Sequence, residues 1–204
     1  MNVRASLIVV GFIVFFASCQ KDLSKQELID YTFDPGNGLY KKETVGNIQI
    51  EVVYRPSQLI ASQDAQGLVL TRHQADSIND YFGEIDYFLL RLSRNSSEIE
   101  NAYAGNRSAF NEISNYLSYG IGKDILLLQG SDTLHVTDFI RTQSHGASPS
   151  TDILFGFRPG LNDKNGDVKF IFDDLKFKTG LTEFHFDIAD LKTVSSIHLI
   201  DKTL

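Results

Sequence analysis

Three segments in the C-terminal third of the chain alternate apolar and polar side chains with a period of two. The clearest is residues 183–187, in which Phe184 and Phe186 alternate with charged residues and a histidine. Successive side chains of a β-strand point to opposite faces, so this alternation gives the strand one apolar and one polar face. Antiparallel strands commonly pack one face and expose the other. The pattern, which recurs at residues 153–157 and 168–172, therefore predicts a mainly antiparallel sheet.

Further strands are predicted along the rest of the chain. A hairpin is expected from residues 39–45 and 48–54, because the second segment alternates and is rich in β-branched side chains beyond a turn at Gly46 and Asn47. Other short apolar or alternating runs predict strands at residues 87–92, 125–128, 134–139 and 197–200.

Helices are predicted at residues 71–82, 108–119 and 189–195. Thr71 and Gln74 have the spacing of a capping box. In the second helix the apolar residues fall on one stripe, and glycines follow its end. The predicted fold class is α+β, with a predominantly antiparallel sheet of about six to eight strands and two or three helices packed on one face.

The N-terminus has the layout of a signal peptide. Arg4 precedes an apolar run at residues 7–16, and Phe16-Ala17-Ser18 leads into Cys19, which is the only cysteine. This segment resembles the lipobox of bacterial lipoproteins, with Phe16 where leucine is usual. The resemblance implies cleavage before Cys19, a diacylglycerol on its thiol and an acyl chain on its new amino group. Because each buried methylene contributes about 0.8 kcal/mol, two or three chains would hold the protein at a membrane.

Two alternatives to lipidation are a transmembrane anchor that is never cleaved and an ordinary secretory signal with an incidental cysteine. The apolar run at the N-terminus is shorter than the roughly 20 residues of a membrane-spanning helix. Cys19 has no second cysteine in the chain with which to form a disulfide. Both observations favour lipidation.

The residues after Cys19 indicate a destination. Position two after the cysteine is not aspartate, so the signal for retention in the inner membrane is missing and an outer-membrane location is expected. The charged pair Lys21-Asp22 and the aromatic-rich body resemble envelope lipoproteins of Bacteroidota. The alternative interpretation of the charged pair is a solvated linker.

The chain is expected to divide into three parts. Residues 1–18 form the signal peptide, residues 19–37 a lipidated tether that contains the turn sequence Asp34-Pro35-Gly36, and residues 38–204 a single globular α+β domain. Of the 204 residues, 186 remain after removal of the signal, which is enough for one sizeable core.

The net charge bears on partners. The chain has a formal charge of −7, and loss of Arg4 with the signal leaves the remainder at −8. Phosphate backbones repel a body of that sign, and no cluster of Lys and Arg offsets it, so nucleic acid is not expected as a partner. The expected partners are a membrane, through lipid on Cys19, and a protein of the envelope.

Asp163, Asn165 and Asp167 occupy alternate positions, the spacing by which calcium loops present side-chain oxygens. The glycine of such loops is at the sixth position, whereas Gly166 is at the fourth. Asn-Gly is also a strong signal for a tight hairpin turn, which here would join the strands at residues 153–157 and 168–172. The turn is favoured and calcium binding remains the alternative, so no metal is assigned.

Glu183, His185 and Asp187 share the polar face of one predicted strand, about 7 Å apart between neighbours. That spacing permits an acid/base or metal cluster, but a solvated sheet face carries such residues routinely and a metal site needs three or four converging ligands. The remaining histidines are scattered along the chain, at His73, His135, His145 and His198. Ser144 and His145 are adjacent in a loop without a nucleophile elbow. The sequence therefore assigns no catalytic residue and no cofactor.

The function expected from these observations is a noncatalytic, membrane-anchored binding or accessory module whose one assigned residue is Cys19. An enzyme held at the envelope is one alternative, and it predicts a pocket with at least two titratable groups of shifted pKa around His145 or His185. A structural component of an envelope assembly is the other, and it predicts an exposed apolar patch without a pocket.

Overall fold

The computed structural model describes residues 22–64, 81–144, 147–158, 161 and 166–199. The strands are β1 (Asp22–Leu23), β2 (Tyr40–Val45), β3 (Ile48–Arg55), β4 (Asp86–Arg94), β5 (Ser97–Glu98), β6 (Ile125–Gln129), β7 (Asp132–Arg141), β8 (Thr151–Phe157), β9 (Asp167–Asp174), β10 (Gly180–Asp187) and β11 (His198–Leu199). The α-helices are α1 (Lys25–Phe33), α2 (Ser57–Asp64), α3 (Arg107–Asn115) and α4 (Ile188–Ser195). Short 3₁₀ turns lie at Pro35–Asn37, Ile99–Tyr103 and Ile121–Asp124, and a π turn at Tyr116–Gly120.

The main sheet is antiparallel throughout and curls into a nearly closed barrel. Its strand order is β10-β9-β6-β7-β8-β4-β3-β2, and β5 pairs with β4. The two outermost strands approach each other, and the Lys41 ammonium of β2 lies 5.6 Å from the centre of the Phe186 ring of β10. Strands β1 and β11 form a separate parallel pair. The predicted α+β class with a mainly antiparallel sheet is confirmed.

Phenylalanine rings from four strands fill the interior of the sheet. Phe88 lies within 6 Å, centre to centre, of three other phenylalanine rings, on β8, β9 and β10. These rings occupy the inward-facing positions of strands in which successive side chains point to opposite faces, as the period of two predicts. Their buried area makes them the main contribution to the core. Fully buried phenylalanines are Phe88, Phe155, Phe157, Phe170, Phe172 and Phe186.

Helical segments pack against the two ends of the curled sheet. Helix α4 continues directly from β10 and places Ile188, Leu191 and Val194 in the core, near the start of β4. The segment from α3 through residue 124 leads into β6 and contributes Ile113 and Leu117 to the same core near the end of β4. We refer to the end of the sheet against which α4 packs as the α4 end, and to the end against which α3 packs as the α3 end.

Most predicted elements are confirmed within the described residues. The predicted hairpin at residues 39–54 is β2 and β3, and the predicted helix at residues 108–119 is α3 with its π turn. The strands predicted in the C-terminal third are β8, β9 and β10, and the last helix is α4. The predicted helix at residues 71–82 falls mostly outside the described residues.

The predicted tether is wrong for residues 22–37. Helix α1 occupies most of that stretch, and its N-terminus carries a capping box in which Ser24 and Glu27 bond each other's backbone. Leu28 of α1 has no exposed surface and belongs to the core. The folded part therefore includes residues from Asp22 onward, and residues 19–21 lie outside the described part of the chain.

The predicted hairpin between residues 153–157 and 168–172 is also wrong. β8 pairs with β7 and β4, whereas β9 pairs with β6 and β10. Because β7 and β4 occupy both edges of β8, no edge is left for β9, which lies in another part of the sheet. An Asn-Gly dipeptide favours a tight turn but does not choose which strands pair.

Candidate binding site

A polar cavity of about 420 Å³ lies at the α3 end of the sheet, between α3, β5 and β7. A volume of that size falls within the range of about 300–1,000 Å³ that is common for ligand pockets. We call it the polar cavity. Its lining residues are Glu98, Glu100, Asn101, Phe110, Ser114, Ser118, Arg141, Gln143 and Ser144.

Local sequence explains how the first wall of the polar cavity forms. Asn95 and Ser96 both have positive φ, at 53° and 55°, which is the conformation of a two-residue turn that folds β5 back along β4. β5 then brings Glu98 opposite Ser93, and a 3₁₀ turn follows directly and carries Glu100.

Helix α3 supplies the opposite wall. Asn106 caps its N-terminus by accepting hydrogen bonds from the backbone N–H groups of Ser108 and Ala109, each 3.1 Å long. Phe110, Ser114 and Ser118 follow at intervals of four residues and therefore share one side of the helical segment. That side faces the polar cavity.

Two buried carboxylates and one half-buried guanidinium lie in the walls of the polar cavity. Glu98 is 4% exposed and Glu100 is 2% exposed. The Arg141 guanidinium forms an ion pair with Glu100, and its other amino group donates hydrogen bonds to Ser114 Oγ at 3.1 Å and to Ser118 Oγ at 3.4 Å. Burial lowers the pKa of Arg141, and the nearby Glu98 carboxylate acts in the opposite direction.

The two carboxylates have different surroundings. Glu100 pairs with Arg141 and also accepts a hydrogen bond from the Thr151 hydroxyl. Glu98 accepts a hydrogen bond from the neutral Ser144 hydroxyl. The Nε atom of Arg141 is buried and has no hydrogen-bond partner among the described residues. One guanidinium thus stands against two carboxylates, and the polar cavity has an excess of negative charge.

A second cavity, of about 370 Å³, lies at the α4 end. Tyr54 donates a hydrogen bond of 2.7 Å to Asp86, and the other oxygen of that carboxylate accepts one from the backbone N–H of Leu161. The Ser195 hydroxyl lies 3.4 Å from that of Tyr54. Burial raises the pKa of both Tyr54 and Asp86, because it disfavours their charged forms.

An apolar groove of about 510 Å³ runs along the outside of β4, β8 and β7. Ile140 on its edge is 67% exposed, and Tyr81 is 56% exposed. The Arg158 guanidinium lies 5.7 Å from the centre of the Tyr81 ring and pairs with Glu84. Thr137, Asp138 and Arg158 also line this groove, but most of its lining side chains are apolar or aromatic.

The residues singled out on β10 are exposed on one face, as predicted. Glu183 lies 3.5 Å from the Lys169 ammonium and 3.7 Å from Nε2 of His185. Asp187 instead caps α4 by accepting a hydrogen bond from the Ala189 backbone. Across the described ranges, no three His, Cys, Asp or Glu side chains converge as metal ligands.

Other predicted positions are not brought together. Asp167 begins β9 and is exposed, and His135 is exposed on β7. Ser144 borders the polar cavity. The candidates that lie outside the described residues are Cys19, His73, His145, Asp163 and Asn165. The backbone of His198 lies in β11.

Sequence reasoning missed Glu98, Glu100 and Arg141. Residues 98–100 are all buried, in a two-residue strand followed by a 3₁₀ turn, so they show neither the period of a strand nor that of a helix. Charged residues in a short polar run ordinarily indicate a loop. The pairing of β5 with β4 and the position of α3 determine their burial, and both depend on contacts between distant parts of the sequence.

The fold and the cavities define a nearly closed antiparallel barrel with helical segments at its ends and a buried charged cluster at one end. No family model, curated protein or solved structure matches this chain in the comparisons with known proteins. In the part of the chain that the structure describes, no helix has the length and apolar character needed to span a membrane.

Proposed function

We propose that this chain is a noncatalytic binding module, held at the outer membrane of a bacterial cell envelope by lipid on Cys19, and that the polar cavity receives its ligand. The observation that carries the binding role is the charged cluster in the walls of the polar cavity, in which Glu98 and Glu100 are buried and Arg141 is half-buried. Burying charges costs free energy, so a buried, unbalanced set beside a cavity is most readily explained by a ligand.

The anchoring role rests on the N-terminal sequence. Phe16-Ala17-Ser18 before the single Cys19, after a short apolar run, supports attachment by lipid. The folded part described here begins at Asp22, only three residues after Cys19. A lipid on Cys19 would therefore hold the barrel close to the membrane surface.

An enzyme held at the envelope is the first alternative. It predicts one cavity with two titratable groups of shifted pKa, and Tyr54 and Asp86 are such a pair. Both carboxylate oxygens of Asp86 already accept hydrogen bonds, and the Tyr54 hydroxyl donates one of them. These bonds occupy the groups that a substrate would need, which favours binding over catalysis.

The anchoring part of the proposal is tested by the intact mass of protein extracted from membranes of the native host. A chain that starts at Cys19 and carries added acyl mass is expected, and a Cys19→Ala variant should be unacylated and released from the membrane fraction. An unmodified wild-type chain would contradict anchoring by lipid. The remaining explanations would then be an uncleaved membrane anchor or secretion.

The binding part is tested by thermal unfolding of the protein with a panel of small polar metabolites. Ligand that binds only the folded state raises stability, by about 2.7 kcal/mol at a hundred times its Kd. At least one compound should raise the Tm of the wild type and fail to do so with Ser114→Phe, which fills the polar cavity. A Tm that no compound raises, or that rises equally in both proteins, would count against a ligand in this cavity.

A further inference from the structure

We propose that the ligand of the polar cavity is a small cation that carries hydroxyl groups, of the amino sugar class. This inference rests on the proposed binding function and adds the chemistry of the ligand to it. Its basis is the juxtaposition of an unbalanced buried carboxylate, Glu98, with side-chain amides and hydroxyls around one cavity.

The charge balance of the polar cavity selects for a cation. Arg141 is directed to Glu100 by their ion pair, while Glu98, 4% exposed, accepts its bond from a neutral hydroxyl. Arg141 attracts Glu98 without forming an ion pair with it, and a buried carboxylate that lacks an ion-pair partner is costly. A bound ammonium group would supply the missing partner of Glu98. An anionic ligand would add a third negative charge to the two carboxylates.

The neutral groups of the polar cavity select for hydroxyls. Asn101 and Gln143 carry side-chain amides, and Ser114, Ser118 and Ser144 carry hydroxyls. Amides and hydroxyls both donate and accept hydrogen bonds, as the hydroxyls of a polyol also do. The three hydroxyls already bond to Arg141 or Glu98 but keep further donor or acceptor capacity. A polyol can use that capacity in several orientations, whereas a purely apolar ligand would leave it unused.

The shape of the polar cavity suits a ring with one apolar face. Phe110 is the one aromatic side chain in the lining and lies on the same side of the helical segment as Ser114 and Ser118. Aromatic rings offer a flat apolar surface, against which the C–H face of a sugar ring can pack. The volume of about 420 Å³ is at the lower end of the range for ligand pockets, which favours a single small molecule.

The test is calorimetric titration at about pH 6.5 with two sugars that share a ring but differ in charge. Glucosamine carries an ammonium group, whereas N-acetylglucosamine is neutral. We expect the wild type to bind glucosamine at least about tenfold more tightly than N-acetylglucosamine. Glu98→Gln should weaken glucosamine binding at least about tenfold and leave binding of N-acetylglucosamine unchanged. Glu112→Gln, which removes an exposed carboxylate of α3 that does not line the polar cavity, is the matched control and should change neither.

The outcomes separate this inference from the proposed function. Equal affinity for both sugars, or equal weakening of both by Glu98→Gln, would overturn the role of charge and leave the binding function standing. If neither sugar binds but another polar compound raises the Tm of the wild type and not of Ser114→Phe, the ligand class is wrong and the cavity is still a binding site. If the metabolite panel also has no effect, the proposed function fails together with the inference.

Discussion

Asp86 shows how the barrel holds a single ionisable residue away from water. Burial raises its pKa above the ordinary value of 3.8, and hydrogen bonds from Leu161 and Tyr54 oppose that shift without cancelling it. A carboxyl group whose pKa is raised by folding binds its proton more tightly in the folded than in the unfolded state. Its contribution to stability is therefore full below its unfolded pKa and is lost as the pH rises through its folded pKa.

This linkage predicts a pH-dependent difference between the wild type and Asp86→Asn. The free energy of unfolding of the wild type, minus that of the variant, should fall as the pH rises from about 3.5 through the folded pKa of Asp86, by about 1.4 kcal/mol for each unit by which folding raises the pKa. Urea unfolding across that range measures the difference. A constant difference for Asp86→Asn would show that its pKa is the same in both states.

At the scale of residues, the sequence reveals exposure better than burial. The polar face of β10 could be predicted, because Glu183, His185 and Asp187 alternate with apolar residues in a regular strand. The buried charges of the polar cavity could not, because Glu98 and Glu100 lie in a short irregular segment whose burial depends on α3, which packs over them. Charged residues are rarely buried without a partner, so sequence patterns assign them to the surface by default.

At the scale of elements, helix α1 replaces the predicted tether and its packing can be measured. Leu28→Ala removes a side chain with no exposed surface and should lower the free energy of unfolding by about 2–5 kcal/mol, since it leaves a cavity in the core. Leu181→Ala is the matched control, because Leu181 is 60% exposed, and should change stability by less than about 0.5 kcal/mol. Urea unfolding of both variants checks this. Equal, small effects would mean that residues 25–33 behave as a tether after all.

Elements with a regular period were predicted well, and pairings between them less so. The hairpin of β2 and β3 follows from local sequence, because its turn at residues 46–47 leaves the two strands no other arrangement. β8 and β9 have equally clear alternation, yet each pairs with two other strands. Period two identifies a strand and its buried face but says nothing of its neighbours in the sheet. Pairings of distant strands depend on how the whole core packs.

At the scale of the whole molecule, closure of the barrel is incomplete at one seam. β2 and β10 are the two ends of the strand order, and within these two fully described strands no hydrogen-bonded ladder joins them. Lys41 stands opposite Val52, on the core face of β2, and its ammonium lies over the buried Phe186 of β10. A charged residue on the inward face of an edge strand is a common means of preventing that edge from pairing with another chain.

The seam should therefore open before the rest of the sheet. Lys41→Ala removes a cation over an aromatic ring, an interaction worth about 0.5–1 kcal/mol at partly exposed sites, and should speed hydrogen exchange at the amides of β2 several-fold. The amides of β4 and β8, which are paired on both sides, should keep the exchange rates of the wild type under native conditions. Lys42→Ala is the control, since Lys42 lies on the opposite face of β2, where it contacts Glu51 at 3.9 Å. Amide exchange followed by NMR distinguishes local opening from global unfolding. If Lys41→Ala speeds exchange equally in β2, β4 and β8, the barrel unfolds as one unit and the seam is no weaker than the paired strands.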